Sequence, residues 1–424
     1  MTTDFRQFAP VPPKGWNSWD GYGASVREEE VKRNADYMSQ HLKQFGWEYV
    51  TVDIQWYEPT ADSSTYHNFA PLVMDDYSRL LPDPKRFPSA ANGQGFKPLA
   101  DYVHQLGLKF GIHIMRGIPR QAAHQATAIR GTTKTARDIA LNNICPWNSD
   151  MYGVNVALPE GQGYYNSLMD LYASWGVDFI KCDDIANSVI YQGTHKAEVT
   201  ALRRAIDQTG RNMVLSLSPG PAPVKNGAFF QRTANMWRIT DDFWDDWALL
   251  RNMFDRAAEW SAMSQPGTWP DCDMLPLGHI GIRSVDGPGG DRQTRFTPAE
   301  QRTMMTLWCL MQSPLIMGGE LPDLDDWTTR LLTNADLLAM DDQITAKAET
   351  YRDDHVIVWQ ATSPQHQYFA IFNLSKADYH LIPAVLTKLG VPMTGTDVWQ
   401  QQPAAILAEK PRTIAAHDVF LLKQ

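Results

Sequence analysis

Val177–Ala186 reads V-D-F-I-K-C-D-D-I-A. The apolar pair Phe179-Ile180 gives way at once to Lys181, Cys182, Asp183 and Asp184. That is the pattern of a buried parallel strand whose C-terminal end opens into a polar site. Alternate residues of a strand share a face, so Lys181 is expected to hold Asp183 ionised, ready as a nucleophile, while Asp184 points elsewhere. An isolated K-x-D-D is more simply a strand-end ion pair followed by a helix cap. Its recurrence along the chain argues for more.

Working outward, the unit of strand, polar tip and helix repeats. On the N-terminal side, Lys14–Asp20 (K-G-W-N-S-W-D) carries Trp16, Tyr49–Ile54 closes on Asp53, and Lys109–Met115 ends near His113 and Arg116. On the C-terminal side, Met213–Leu217 runs into Ser218, Met236–Asp242 ends in Asp241-Asp242 behind Arg238, Thr268–Met274 carries Asp271 and Asp273, and Ser313–Gly319 is the last strand. The intervening helices have start and stop signals. Ser25 with Glu28 reads as a capping box for a helix ended by Gly46, and Thr297-Pro298-Ala299-Glu300 opens another. Further helices are expected at Pro98–Leu106, Tyr164–Trp175, Lys196–Gln208, about 246–264 and Leu324–Met340. Eight such units predict an α/β fold, a (β/α)8 TIM barrel in which the strand tips converge on one site. A doubly wound open sheet is the alternative, but no glycine-rich phosphate loop follows the first strand.

From about Ile344 the texture changes to short alternating strands: His355–Gln360, Gln367–Asn373, Tyr379–Leu386, Asp397–Gln400, Ala405–Leu407 and Val419–Leu422. They predict a C-terminal antiparallel β-sandwich domain, and with it a division into residues 1–343 and 344–424. Residues 1–12 read as an arm. Two long excursions, 58–96 and 117–163, suit the entrance of a site or a subunit contact in a homo-oligomer.

The 424 residues carry a net charge of -10, which argues against nucleic acid and an anionic membrane surface as partners. No apolar run is long enough to span a bilayer, and M-T-T-D-F-R-Q-F-A-P has no secretion-signal pattern. Four cysteines (Cys145, Cys182, Cys272, Cys309) without metal-ligand spacing predict reduced, mostly buried thiols and a cytoplasmic protein. The 15 tryptophans are chiefly core residues by expectation, although an indole face also suits the C–H face of a sugar.

The tips pool carboxylates, one lysine, one arginine and aromatic faces, with no cofactor motif. Two carboxylates across a cleft are what glycoside hydrolysis requires. Asp183, beside a cation, suits the ionised role. Asp242, among Asp241, Asp245 and Asp246, sits where like charges favour the acid form, whereas Asp245 and Asp246 read as a solvated helix N-terminus. A metal-dependent hydrolase could use Asp271-x-Asp273 and Asp183-Asp184, but His113 is the single histidine at a tip, so no metal or other cofactor is expected. A catalytically silent sugar-binding barrel is the remaining rival class.

The motifs resemble those of the α-galactosidase and α-N-acetylgalactosaminidase family of glycoside hydrolases, the melibiase-like clan. They are G-W-N-S-W at Gly15–Trp19, P-D-P-K-R-F-P at Pro82–Pro88, L-A-D-Y-V-H at Leu99–His104, F-I-K-C-D-D, W-R-x-x-D-D at Trp237–Asp242, P-D-x-D-M-L at Pro270–Leu275, T-L-W-C at Thr306–Cys309 and S-P-L-I-M-G at Ser313–Gly318. The resemblance implies a retaining double displacement with a glycoside or oligosaccharide as substrate. It puts the nucleophile on Asp183 and the acid/base on Asp242, with Arg238 near the sugar's 2-substituent. Trp16 would form the subsite floor, Asp53, Lys181 and Asp273 would meet hydroxyls, and His113, Asp184 and Ser218 complete the expected substrate-binding set.

The departures bear on the sugar. Where the family's second strand ends D-D-C-W, this chain has Asp53-Ile54-Gln55-Trp56. Ile54 cannot accept the hydrogen bond by which the second Asp helps read an axial 4-hydroxyl, a deficit of about 1–3 kcal/mol. His113 stands where a tyrosine is usual, and Ser218 and Ala222 are small where galactosidases are bulky. A terminal α-galactoside leads the expected substrates, with α-N-acetylgalactosaminides, β-L-arabinopyranosides and α-1,6-glucosides as alternatives.

Overall fold

The computed structural model describes residues 4–284, 289–407 and 410–424; residues 1–3 of the arm lie outside these. Eight parallel strands form one sheet: β1 (Lys14–Asn17), β2 (Tyr49–Val52), β3 (Lys109–Met115), β4 (Phe179–Asp183), β5 (Val214–Leu217), β6 (Met236–Arg238), β7 (Trp269–Asp271) and β8 (Leu315–Met317). Their order is β7-β6-β5-β4-β3-β2-β1-β8. Just past β7, Leu275 pairs with Met317 of β8 in parallel and bonds the Ile316 carbonyl at 2.8 Å, so the two ends of the sheet meet. The barrel expected from the repeated unit is therefore present.

Its strands are short and almost wholly buried, because helices cover the outside and side chains fill the inside. At the N-terminal end Tyr49, Phe179, Val214, Met236 and Trp269 pack in one cluster with Ala9. The arm thus stoppers that end, and Trp269 Nε1 donates to the Ala9 carbonyl at 2.9 Å. The polar residues are left for the other end.

Helix boundaries differ from the sequence reading where local chemistry was misjudged. The first long helix starts at Glu28, not at Ser25: the Arg27 N–H donates to Glu30 Oε2 at 2.8 Å, while Ser25 Oγ donates to the Tyr22 carbonyl. The helix expected from Tyr164 begins at Pro159, a residue suited to the first helical turn. The stretch 324–340 is two helices, Asp326–Leu332 and Ala335–Gln343, because Asn334 caps the second by accepting from the Leu337 N–H. The 117–163 excursion contains a three-stranded antiparallel sheet (Ile118–Pro119, Ala140–Ile144, Met151–Val154).

Beyond the barrel lies a six-stranded antiparallel sheet: β9 (Ala346–Arg352), β10 (Val356–Thr362), β11 (Gln367–Asn373), β12 (Thr394–Asp397), β13 (Gln402–Ala405) and β14 (Val419–Lys423), in the order β9-β10-β11-β14-β12-β13. Both faces are covered. Val356, Val358, Phe369 and Ile371 build a small core of their own, while Ile357, Trp359, Ala370 and Phe372 join the barrel's core. The sandwich's second layer is a two-stranded ribbon (Tyr379–Leu381 with Arg412–Ile414) and a helix, Pro383–Leu389. That helix corrects the strand expected over Tyr379–Leu386, since Pro383 opens a helical turn and Gly390 closes it in the left-handed region.

Candidate active site

Strand pleating sends Lys181 and Asp183 to one face of β4, with Cys182 fully buried on the other. The lysine's direct partner is not Asp183. Its Nζ lies 2.8 Å from Oδ2 of Asp53, the residue just past β2, reaching across β3. Asp53 also accepts from Asn17 Nδ2 at 2.7 Å and from the Ile54 N–H at 2.8 Å. Burial alone would raise the Asp53 carboxyl, but the Lys181 charge, then His113, the Lys181 bond and the Ile54 N–H hold it well below the usual carboxylate range.

Asp183 is held by β3. His113 stands opposite Lys181 in register, and its Nε2 is 3.3 Å from Asp183 Oδ2; Asp183 Oδ1 accepts the Asp184 N–H at 2.9 Å. Burial pushes this carboxyl up. The His113 bond and charge, then Lys181, outweigh it, and Asp183 is held below its ordinary value. Ionisation of the nucleophile candidate thus has the expected direction with a different main cause.

Asp184 turns away, as expected, through a left-handed backbone (φ 54°). Its Oδ2 receives Arg116 Nη2 at 2.6 Å, and Arg116 also pairs with Glu198 at 2.9 Å. Burial raises Asp184 to about 6 against the pull of Arg116. The carboxylate touches the cavity's edge but is committed to this buried cluster.

Across the cavity, Arg238 at the end of β6 grips two acids: Nη2 to Asp242 Oδ1 at 3.0 Å and Nη1 to Asp273 Oδ1 at 2.9 Å. Asp273 Oδ2 accepts the Phe243 N–H at 2.8 Å. Burial, with Asp242 and Asp271 adding, raises Asp273 to about 7 despite Arg238. Asp242 lies at the rim, its side chain 64% exposed. The like-charge cluster expected around it is dispersed. Asp245 is buried in an ion pair with Arg292 at 2.6 Å rather than solvated, and Asp246 caps the next helix by accepting from the Ala248 N–H.

The cavity between these groups has a volume of about 340 Å³. Asp53, Lys181, Asp183, Asp184, Arg238, Asp242 and Asp273 all line it. Three expected site residues do not. Trp16 is 1% exposed, and its Nε1 is spent on the Gly319 carbonyl at 2.9 Å, so it is barrel core rather than subsite floor. His113 is fully buried behind Asp183, and Ser218 is buried behind Pro219 and Gly220, which do line the space.

The aromatic wall comes from residues the sequence reading did not select. Trp19, from the same G-W-N-S-W motif, lies past the end of β1 and lines the cavity. It stacks on Tyr66 at 6.0 Å, and Tyr66 meets Trp147 at 5.7 Å. Tyr66 and Trp147 come from the two excursions, which therefore shape the cavity wall. Their positions in loops carry no periodic signal. A strand tip followed by a turn is the one clue that favoured Trp19 over Trp16. Trp19→Ala is expected to lower kcat/KM by about 10- to 100-fold, the loss of one aromatic face lining the cavity. Trp16→Phe should cost about 1 kcal/mol of stability through its hydrogen bond and leave kcat/KM near wild type. Steady-state kinetics and denaturant melts of the two variants check this pair.

Among the described residues, no group of three His, Cys, Asp or Glu is placed to hold a metal ion. No described helix is long and apolar enough to cross a membrane, and all four cysteines are buried and unpaired.

The chain matches the family described as alpha galactosidase A (Melibiase_2) over residues 12–156 and 148–343. Among curated proteins, an α-galactosidase from Oryza sativa subsp. japonica is 25% identical over 422 residues, covering 96% of this chain and 83% of its own. An α-N-acetylgalactosaminidase from Gallus gallus is 25% identical over 414 residues, covering 91% and 84%. Among solved structures, a GH27 β-L-arabinopyranosidase from Geobacillus stearothermophilus is 54% identical, with a TM-score of 0.95 over 100% of this chain and 98% of that one.

Proposed function

Because the chain belongs to the alpha galactosidase A family of glycoside hydrolases, we propose that it is a retaining exo-glycosidase acting on terminal β-L-arabinopyranosides, with α-galactosides as slower substrates. The observation that carries the reaction type is the pair of carboxylates on one cavity in contrasting surroundings. Asp183 is partly buried at the cavity wall, bonded to His113 and held ionised, as attack on an anomeric carbon requires. Asp242 stands at the exposed rim, where a leaving group departs and water then arrives. Asp183 forms the glycosyl-enzyme while Asp242 protonates the departing oxygen. Asp242 then takes the proton of the water that releases the sugar.

The choice of sugar rests on two supports. The β-L-arabinopyranosidase is 54% identical to this chain, whereas the α-galactosidase from rice is 25% identical. The β2 tip also offers one carboxylate rather than two, and that one is engaged by Lys181, Asn17 and the Ile54 N–H. Ile54 itself is 1% exposed and packs in the core. β-L-arabinopyranose has the ring configuration of α-D-galactopyranose without the hydroxymethyl at C5. Both sugars carry the axial 4-hydroxyl; β-L-arabinopyranose has one hydroxyl fewer to satisfy at a tip that has one carboxylate fewer.

The test is a panel of nitrophenyl β-L-arabinopyranoside, α-galactoside, α-N-acetylgalactosaminide and α-glucoside. The first should be hydrolysed with kcat/KM at least about 10-fold above the second. A preference for the α-galactoside or the N-acetylgalactosaminide would overturn the choice of sugar but keep the reaction. No turnover of any would sink the exo-glycosidase reading.

A further inference from the structure

Asp20 follows Trp19 in the helical turn past β1 and has no place in the chemistry above. It lines the same cavity, is 1% exposed, and its Oδ2 has no hydrogen-bond partner. Space for it exists because residue 318 is glycine: a Cβ there would stand 1.9 Å from Asp20 Oδ2. A buried carboxyl oxygen left unpaired beside an open cavity is costly unless something that enters the cavity bonds it.

We propose that Asp20 is a glycone-binding residue, its carboxyl hydrogen-bonding a ring hydroxyl of the sugar from the β1–β8 side of the cavity. The inference rests on the glycosidase reading and adds a residue to it. Asp20 gives the pocket a further carboxyl in place of the one the β2 tip lacks at Ile54, from the helical turn past β1. Burial first, then Asp273, push its acid well above the usual carboxylate range; Lys181 pulls the other way, and Asp242 and Asp53 add to the rise. The neutral acid is therefore the form presented to substrate, able to donate to a hydroxyl as well as accept from one. A side chain kept neutral in this way is mimicked by an amide. Asparagine also has one donor and one acceptor end in nearly the same shape.

The test compares wild type, Asp20→Asn and Asp20→Ala on the best glycoside of the panel and on its 2-, 3- and 4-deoxy analogues, with thermal melts as the folding control. On the parent, Asp20→Ala should lose about 10- to 100-fold in kcat/KM, and Asp20→Asn should stay within about threefold of wild type. On one deoxy analogue, the one lacking the hydroxyl that Asp20 meets, the Asp20→Ala penalty should vanish. A structural role would lower all four substrates alike, and that pattern would overturn the inference. So would an unchanged Asp20→Ala enzyme, or an Asp20→Asn enzyme as poor as Asp20→Ala. In each of these cases wild-type turnover still stands. Wild type inactive on every glycoside would instead remove the glycosidase reading itself, and this inference with it.

Discussion

Asp183→Asn is expected to lower kcat by about 10⁴- to 10⁶-fold, the range seen when the nucleophile of a covalent mechanism is removed. The substitution keeps the shape of the side chain and removes its charge from between His113 and Lys181. The remaining polar contacts of the cavity, Asp53 with Lys181 and Arg238 with Asp273, do not depend on it. Monosaccharide affinity should therefore stay within about tenfold of wild type while turnover disappears. Asp183→Ala sharpens the test, since azide can fill the space left by the carboxylate. A retaining nucleophile predicts rescue by azide and a glycosyl azide of inverted anomeric configuration. Residual turnover within about 100-fold of wild type would remove Asp183 from the nucleophile's role. A sugar-binding barrel would show the same affinity in both proteins and no turnover to lose.

The barrel was legible because parallel strands buried on both faces leave apolar runs that stop at polar tips, and Val177–Ala186 shows that boundary sharply. The identity of the charged groups at the tips was legible for the same reason. Their pairing was not. Period-two alternation puts Lys181 and Asp183 on one face but says nothing about which neighbouring strand supplies the nearer partner. His113 on β3 takes Asp183, and Asp53 at the tip of β2 takes Lys181. Neither contact has a sequence signal, because each depends on strand order. The same limit produced the choice of Trp16 over Trp19. Both belong to one motif, but Trp16 lies within the strand and its side chain enters the core, whereas Trp19 lies two residues past the strand's end, where the chain turns over the cavity.

Elements without an apolar face were missed for a related reason. Strand β9, A-K-A-E-T-Y-R, alternates between partly and fully exposed residues and is defined by pairing with β10. It is an edge strand, so no buried face marks it in sequence. The loops delivering Tyr66 and Trp147 were recognised as functional from their length, but which residue reaches the cavity is decided by packing: Tyr66 contacts Trp19 on one side and Trp147 on the other.

Removing the second carboxylate should produce a loss of a different kind. Asp242→Ala is expected to reduce kcat by about 10²- to 10⁴-fold on substrates with poor leaving groups, which need a proton in the first step. With a dinitrophenyl leaving group, whose departure needs none, glycosylation should stay within about tenfold of wild type. The second step still lacks its base, so the glycosyl-enzyme should accumulate and appear as a burst of phenol. Azide, which attacks without base assistance, should restore turnover and give a glycosyl azide of retained configuration. Asp241 supplies the control. It is the neighbouring residue, lines the same cavity and is exposed, yet it bonds the Asp242 N–H and receives nothing from Arg238. Arg238 instead bridges Asp242 and Asp273, fixing Asp242 relative to the wall opposite Asp183. If Asp241→Ala rather than Asp242→Ala shows the leaving-group dependence and the burst, the acid/base role moves by one residue. If Asp242→Ala lowers activated and unactivated substrates equally, the residue orients Arg238 rather than transferring a proton.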